Sequence, residues 1–156
     1  MTEPDRERPE LHIERDFPIA PEELFRIWAD PGRIRQWWGP RNFSCTEFEA
    51  DFRVGGVWRA IIVNPDWGES GMHGAYREIV PGERLVFTFT WAESDDQPAL
   101  ETLVTVMFTP IAEGCRQSFH QAPFADEESR DSHVEGWNEC FDKENDYIST
   151  IDGESA

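Results

Sequence analysis

The chain has 156 residues and 18.1 kDa, about one domain's length, and its 38% hydrophobic content suffices for one core but not for two large ones. Its 14 Lys and Arg stand against 32 Asp and Glu, a formal net charge of −18, and so anionic a surface repels both nucleic-acid phosphates and anionic lipid. No stretch approaches the roughly 18 apolar residues of a membrane span, and the charged opening Met1 to Glu10 lacks an apolar signal core, so a cytoplasmic location is expected.

Residues 1–10 read as a disordered tail, and residues 11–152 as one domain. Leu11 to Phe17 partly alternate, with Leu11, Ile13, Arg15 and Phe17 on one face, and predict a first strand. Ala20-Pro21-Glu22-Glu23 then opens a helix, because Pro suits the first helical position and acids suit the positive end of the helix dipole. Asp30-Pro31 opens a second one that carries Ile34, Trp37 and Trp38 until Gly39-Pro40 stops it.

From Thr46 to Gln121 the period changes to two. Phe48, Ala50 and Phe52 alternate before Gly55-Gly56, Val57 to Val63 form an apolar run, and Asn64-Pro65-Asp66 with Gly68 makes a hairpin loop. His73 to Val80 follow as a strand, then Leu85, Phe87, Phe89 and Trp91 alternate with Val86, Thr88 and Thr90. After the acidic loop Ser94 to Pro98 come strands over Thr102–Thr109 and Cys115–Gln121. Six strands joined by short loops imply antiparallel order, since parallel neighbours need long crossovers; with the first strand the sheet has seven. Asp126 caps a final helix of roughly 25 residues, ~37 Å long, whose stripe is Val134, Trp137, Phe141, Ile148 and Ile151. Asp126 to Ala156 carry 11 acids against Arg130 and Lys143, which reads as the solvated face of that helix. The fold class is α+β, a seven-stranded antiparallel sheet wrapped around a long C-terminal helix, with two short helices after strand one.

Aromatic residues make 13% of the chain, including 7 Trp, which suits a dense core or the walls of an apolar cavity between sheet and helix. Cys45, Cys115 and Cys140 have no CxxC spacing and read as buried thiols. His12, His73, His120 and His133 lie on separate elements without metal-ligand spacing, so no metal is expected, and with no P-loop or GxGxxG no cofactor is expected either. His133, one turn before Trp137, either meets a ligand or makes a structural hydrogen bond. Alternation puts Gly74, Tyr76 and Glu78 on one strand face, where Tyr76 and Glu78 would contact a ligand or act as an acid–base pair; alternatively Glu78 sits near solvent at the strand end. Gln117 and Gln121 share the face of Phe119 and either cap a ligand or bond each other and backbone. Of Trp37 and Trp38, one belongs to the core and the other to a cavity mouth.

Ala20-Pro21-Glu22-Glu23-Leu24-Phe25, Trp28, Asp30-Pro31, Trp37-Trp38-Gly39-Pro40, Gly55-Gly56, Gly74-x-Tyr76-x-Glu78-Ile79-x-Pro81, Glu83-Arg84-Leu85-Val86 and His133-x-x-Gly136-Trp137 occur in that order. Together they resemble the START-related SRPBCC superfamily, in the branch of activator of heat-shock-protein ATPase homologues (AHSA-like). The resemblance spans about Leu11 to Ile151 and implies a helix-grip fold, like that of the birch-pollen allergen, with a hydrophobic cavity. Where the family's last strand carries apolar residues and often a His, this chain has Gln117 and Gln121, and where its helix carries Leu this chain has Glu144. Either the cavity is more polar or Glu144 turns to solvent.

The expected function is binding of a small apolar or aromatic ligand. Its expected contacts are Trp37, Trp38, Trp58, Tyr76, Phe87 and Phe89, then Phe119, His133, Trp137 and Phe141, with Glu78, Gln117 and Gln121 as polar partners. The alternatives are a cyclase or hydrolase acting on a polyketide-like substrate through Glu78, Tyr76 or His133, and a chaperone-interacting module. The chaperone activator's larger chaperone-binding domain has no counterpart in this sequence, so a chaperone partner is not expected, while a homodimer is left open.

Overall fold

The computed structural model describes residues 9–66, 68–91 and 100–155. Strands β1 (Leu11–Phe17), β2 (Ser44–Ala50), β3 (Val57–Asn64), β4 (Gly68–Val80), β5 (Arg84–Trp91), β6 (Thr102–Ile111) and β7 (Gly114–Ala122) form one antiparallel sheet. Its order is β1-β7-β6-β5-β4-β3-β2, so β1 and β2 lie at opposite edges. Helices α1 (Pro21–Ala29) and α2 (Pro31–Ile34) carry the chain between those edges, and α3 (Glu127–Ser155) follows the last strand. The expected fold class is the one observed, with β4 beginning five residues earlier than its apolar pattern suggests because Glu69 and Ser70 pair with Val63 and Ile62. The acidic loop Ser94 to Pro98 lies outside the described residues, as do residues 1–8 of the expected tail; Pro9 and Glu10 accept hydrogen bonds from Phe124 N and Arg130 through their carbonyls.

Local signals act where the sequence places them. Asp30 Oδ1 accepts from Gly32 N and Asp126 Oδ1 from Ser129 N, each satisfying a donor with no partner inside its helix. Helix α3 is fixed from both sides. Toward β1, Arg15 Nη2 donates to the Asn138 carbonyl and to Asp142, both at 2.9 Å. Toward the turn after α2, Lys143 Nζ points at four backbone carbonyls, those of Trp38, Gly39, Pro40 and Phe43, at 3.0 to 3.5 Å.

Between α3 and the sheet the core is mainly rings. Trp28 meets Trp37 edge-on at 5.0 Å, lies near-parallel to Phe119 at 6.3 Å, and reaches Trp38, Phe87 and Phe141. Such offset and edge-on pairs add about 0.5–1.5 kcal/mol each beyond their buried area. On β4, Gly74 is required by close approach, since a Cβ there would overlap the Thr88 carbonyl. That carbonyl accepts from Trp58 Nε1 at 3.1 Å, while Thr88 Oγ1 accepts from Ala75 N at 2.8 Å.

Candidate functional site

The cavity expected between sheet and helix is confined to part of that interface, because rings fill much of the space. Trp58, Tyr76 and Phe87 border a void of about 10 Å³, too small for a ligand. Trp37, Phe119 and Phe141 are fully buried in the ring core. Room remains at one end of the interface, in a pocket of about 160 Å³. Its sheet wall is Ile62, Met72, Phe89 and Trp91; its helix wall is Ser132, His133, Gly136, Trp137 and Cys140; Trp38, Gly39 and Pro40 close it. Four expected contacts, Trp38, Phe89, His133 and Trp137, therefore meet there.

The pocket is roomy because of what its elements lack. Gly136 has no side chain, and a Cβ added to it would meet only Pro40 Cγ, at an ordinary 3.6 Å. Gly39 has φ +100°, a left-handed conformation that L side chains rarely adopt, so the chain turns tightly beneath the pocket.

Glu78 does not join Tyr76. Tyr76 pairs with Phe87, but Glu78 pairs with Val86, so Arg77 is an extra residue in β4, a bulge that reverses the alternation. Glu78 thus shares the outer face with Val86 and accepts from Arg84 Nε at 2.8 Å. Tyr76 stays inside, where burial pushes its hydroxyl pKa up. The expected acid–base constellation of Glu78, Tyr76 and His133 is not assembled: the three lie on the outer face, in the core and at the pocket.

Gln117 and Gln121 neither line the pocket nor bond each other. Each accepts an indole N–H on its carbonyl oxygen: Trp28 Nε1 to Gln117 and Trp137 Nε1 to Gln121, both at 2.8 Å. Their amide groups donate onward, Gln117 to Glu144 Oε1 at 3.2 Å and Gln121 to Thr102 Oγ1 at 2.9 Å. The amides are polar glue for buried indoles, which need partners away from water. Glu144 is 0% exposed, which overturns the alternative that it turns to solvent. Burial pushes its pKa up to about 8, and among the described residues its buried Oε2 has no hydrogen-bond partner, nor has Trp37 Nε1. The helical stripe held this signal, since position 144 falls between Phe141 and Ile148 on the same face.

His133 Nε2 accepts from Trp91 Nε1 at 3.0 Å, and His133 Nδ1 lies 2.8 Å from the Ser129 carbonyl. An acceptor Nε2 puts the ring proton on Nδ1, so the ring is neutral with both nitrogens engaged. Burial holds its pKa below the ordinary histidine value. The sequence reading missed Trp91 as a site residue, although Trp91 shares the alternating face of Phe87 and Phe89.

All three cysteines are free thiols, but Cys45 is only half-buried, contrary to expectation. Burial pushes the thiols of Cys45 and Cys115 up to about 11 and raises that of Cys140 further, so none is a ready thiolate. His12 and His120 are cross-strand partners on β1 and β7, a neighbourhood the spacing concealed. Among the described residues, no helix is long and apolar enough to cross a membrane.

Residues 18–147 match the family model of activator of Hsp90 ATPase homolog 1-like proteins. A search of curated proteins gave no match. Among solved structures, an AHSA1 protein of Silicibacter pomeroyi is 27% identical, with 92% of this chain and 99% of that chain covered and a TM-score of 0.82. A protein of Chromobacterium violaceum is 25% identical, with 89% and 96% covered and the same TM-score of 0.82. A protein of Arthrobacter aurescens, at 23% identity, shares the fold with a TM-score of 0.80 over 95% of this chain and 90% of that one.

Proposed function

The chain belongs to the activator of Hsp90 ATPase homolog 1-like family, and we propose that it binds a small apolar or aromatic molecule in the pocket between β3–β5 and α3. The observation that carries this reading is a pocket of about 160 Å³ between sheet and helix with walls mostly of rings and aliphatic groups. An engineered apolar cavity of about that volume stays dry and takes up benzene. The volume is below the usual ~300–1,000 Å³ of drug-sized sites, so the ligand part enclosed is one ring or a short branched chain. Binding is favoured over acid–base catalysis because Glu78 and Tyr76 do not reach the pocket that His133 borders.

The test is a thermal-shift and tryptophan-fluorescence titration with single-ring hydrophobes such as benzene, toluene and indole. Binding to the folded state raises the melting temperature with ligand concentration, and Trp38, Trp91 and Trp137 report occupancy directly. The variant Gly136→Leu, which puts an aliphatic side chain at the helix wall, removes the response. No shift with any ring in a folded protein overturns the reading.

A further inference from the structure

The polar groups around the pocket differ in how tightly they are committed. Trp38 Nε1 donates to Met72 Sδ at 3.2 Å, Trp137 Nε1 to Gln121, and Cys140 Sγ to the Trp37 carbonyl at 3.3 Å, all of them buried contacts. The Trp91–His133 hydrogen bond is exposed, and Trp91 retains 37% of its surface. Breaking a buried hydrogen bond strands a polar group, whereas an indole N–H at the surface finds water instead. This contact is therefore the cheapest to exchange for one with a ligand. It is also directional, because the acceptor is His133 Nε2 while Nδ1 stays committed to the Ser129 carbonyl.

Resting on the binding reading above, we infer that the pocket selects a neutral single-ring ligand carrying a hydroxyl donor, a phenol, which gives its hydrogen bond to His133 Nε2 in place of Trp91. The ring fits the apolar walls of Phe89 and Trp137, and the hydroxyl replaces the indole N–H like for like. A carboxylate on the same ring is disfavoured, since it would set an anion against the lone pair of a neutral imidazole inside a protein of net charge −18.

Calorimetric titration with phenol and toluene, two rings of similar size of which only one donates, tests the inference through the ratio of their affinities. His133→Phe keeps a ring but removes the acceptor, and is expected to lower phenol affinity about fivefold relative to toluene, the usual worth of one hydrogen bond. Trp91→Phe removes the competing donor, and is expected to raise phenol affinity about twofold relative to toluene. If toluene binds but His133→Phe leaves the ratio unchanged, the phenol assignment is overturned and the binding reading stands. If neither ring binds the unaltered protein, both fail.

Discussion

Gln117 on β7 donates to Glu144 on α3 through Nε2 and Oε1 at 3.2 Å, with the Trp28 indole donating to the same glutamine at 2.8 Å. Helix α1, strand β7 and helix α3 are tied by one chain of hydrogen bonds that ends on a carboxyl group. With Oε2 unpartnered among the described residues and the group buried, the protonated form is the favoured one.

A pH dependence follows from that carboxyl. Its folded pKa of about 8 lies above the ordinary glutamate value of 4.5, so between those values the folded state holds the proton more firmly than the unfolded state. The contribution to stability is complete below about pH 4.5 and is lost as pH rises toward 8. Glu144→Gln mimics the protonated group and lacks this dependence. Urea midpoints at pH 5 and pH 8 are expected to show the variant gaining a few kcal/mol on the unaltered protein at the higher pH. Parallel profiles would contradict the assignment.

The second amide chain predicts a coupling. Trp137→Phe strands the Gln121 Oε1 that Trp137 Nε1 now satisfies, at a cost of about 1–3 kcal/mol beyond the lost ring area. Gln121→Leu in the same background removes the stranded acceptor. The two substitutions are thus expected to be less than additive by about 1 kcal/mol in denaturant unfolding, and strict additivity would show that the hydrogen bond contributes nothing.

Lys143 holds the turn that closes the pocket. Its ammonium reaches carbonyls from Trp38 to Phe43, and burial lowers its pKa, so its commitment is to those carbonyls rather than to solvent. Lys143→Met keeps most of the stem and deletes the donors. Hydrogen exchange is expected to accelerate selectively at residues 39–43, with an overall loss of about 1–3 kcal/mol. Unchanged protection there would refute the role.

Gly136 leaves the helix wall open at a cost in helix stability. Gly136→Ala fits the space beside Pro40 and is expected to stabilise by about 0.5–1 kcal/mol, because glycine loses more backbone freedom on folding. At this chain length that is a rise of about 2–3 °C in Tm by calorimetry. A fall would mean that the added methyl clashes.

Period-two alternation located the inward faces of most strands because neighbouring side chains must point to opposite sides of a pleat. On β1, Leu11, Ile13 and Phe17 are buried while His12, Glu14 and Asp16 are exposed, as the pattern requires. The pattern failed at Glu78 because one extra residue, Arg77, resets the register, and nothing local in the sequence marks it. Glu144 was legible in principle from helical spacing, yet its charge argued for solvent until Gln117 and Trp28 were seen to approach it.

The sequence by itself determined the element order and the sheet with its terminal helix, since these rest on periodicity, caps and turn residues that act within a few positions; the family it carried in the ordered motifs that resemble it. Only the tertiary structure decided where space remains. Cavity volume is the small difference between an enclosed space and the rings that fill it, and those rings come from α1, the turn after α2, the sheet and α3 together. That difference left room beside Gly136 and His133 and closed it around Trp58 and Tyr76.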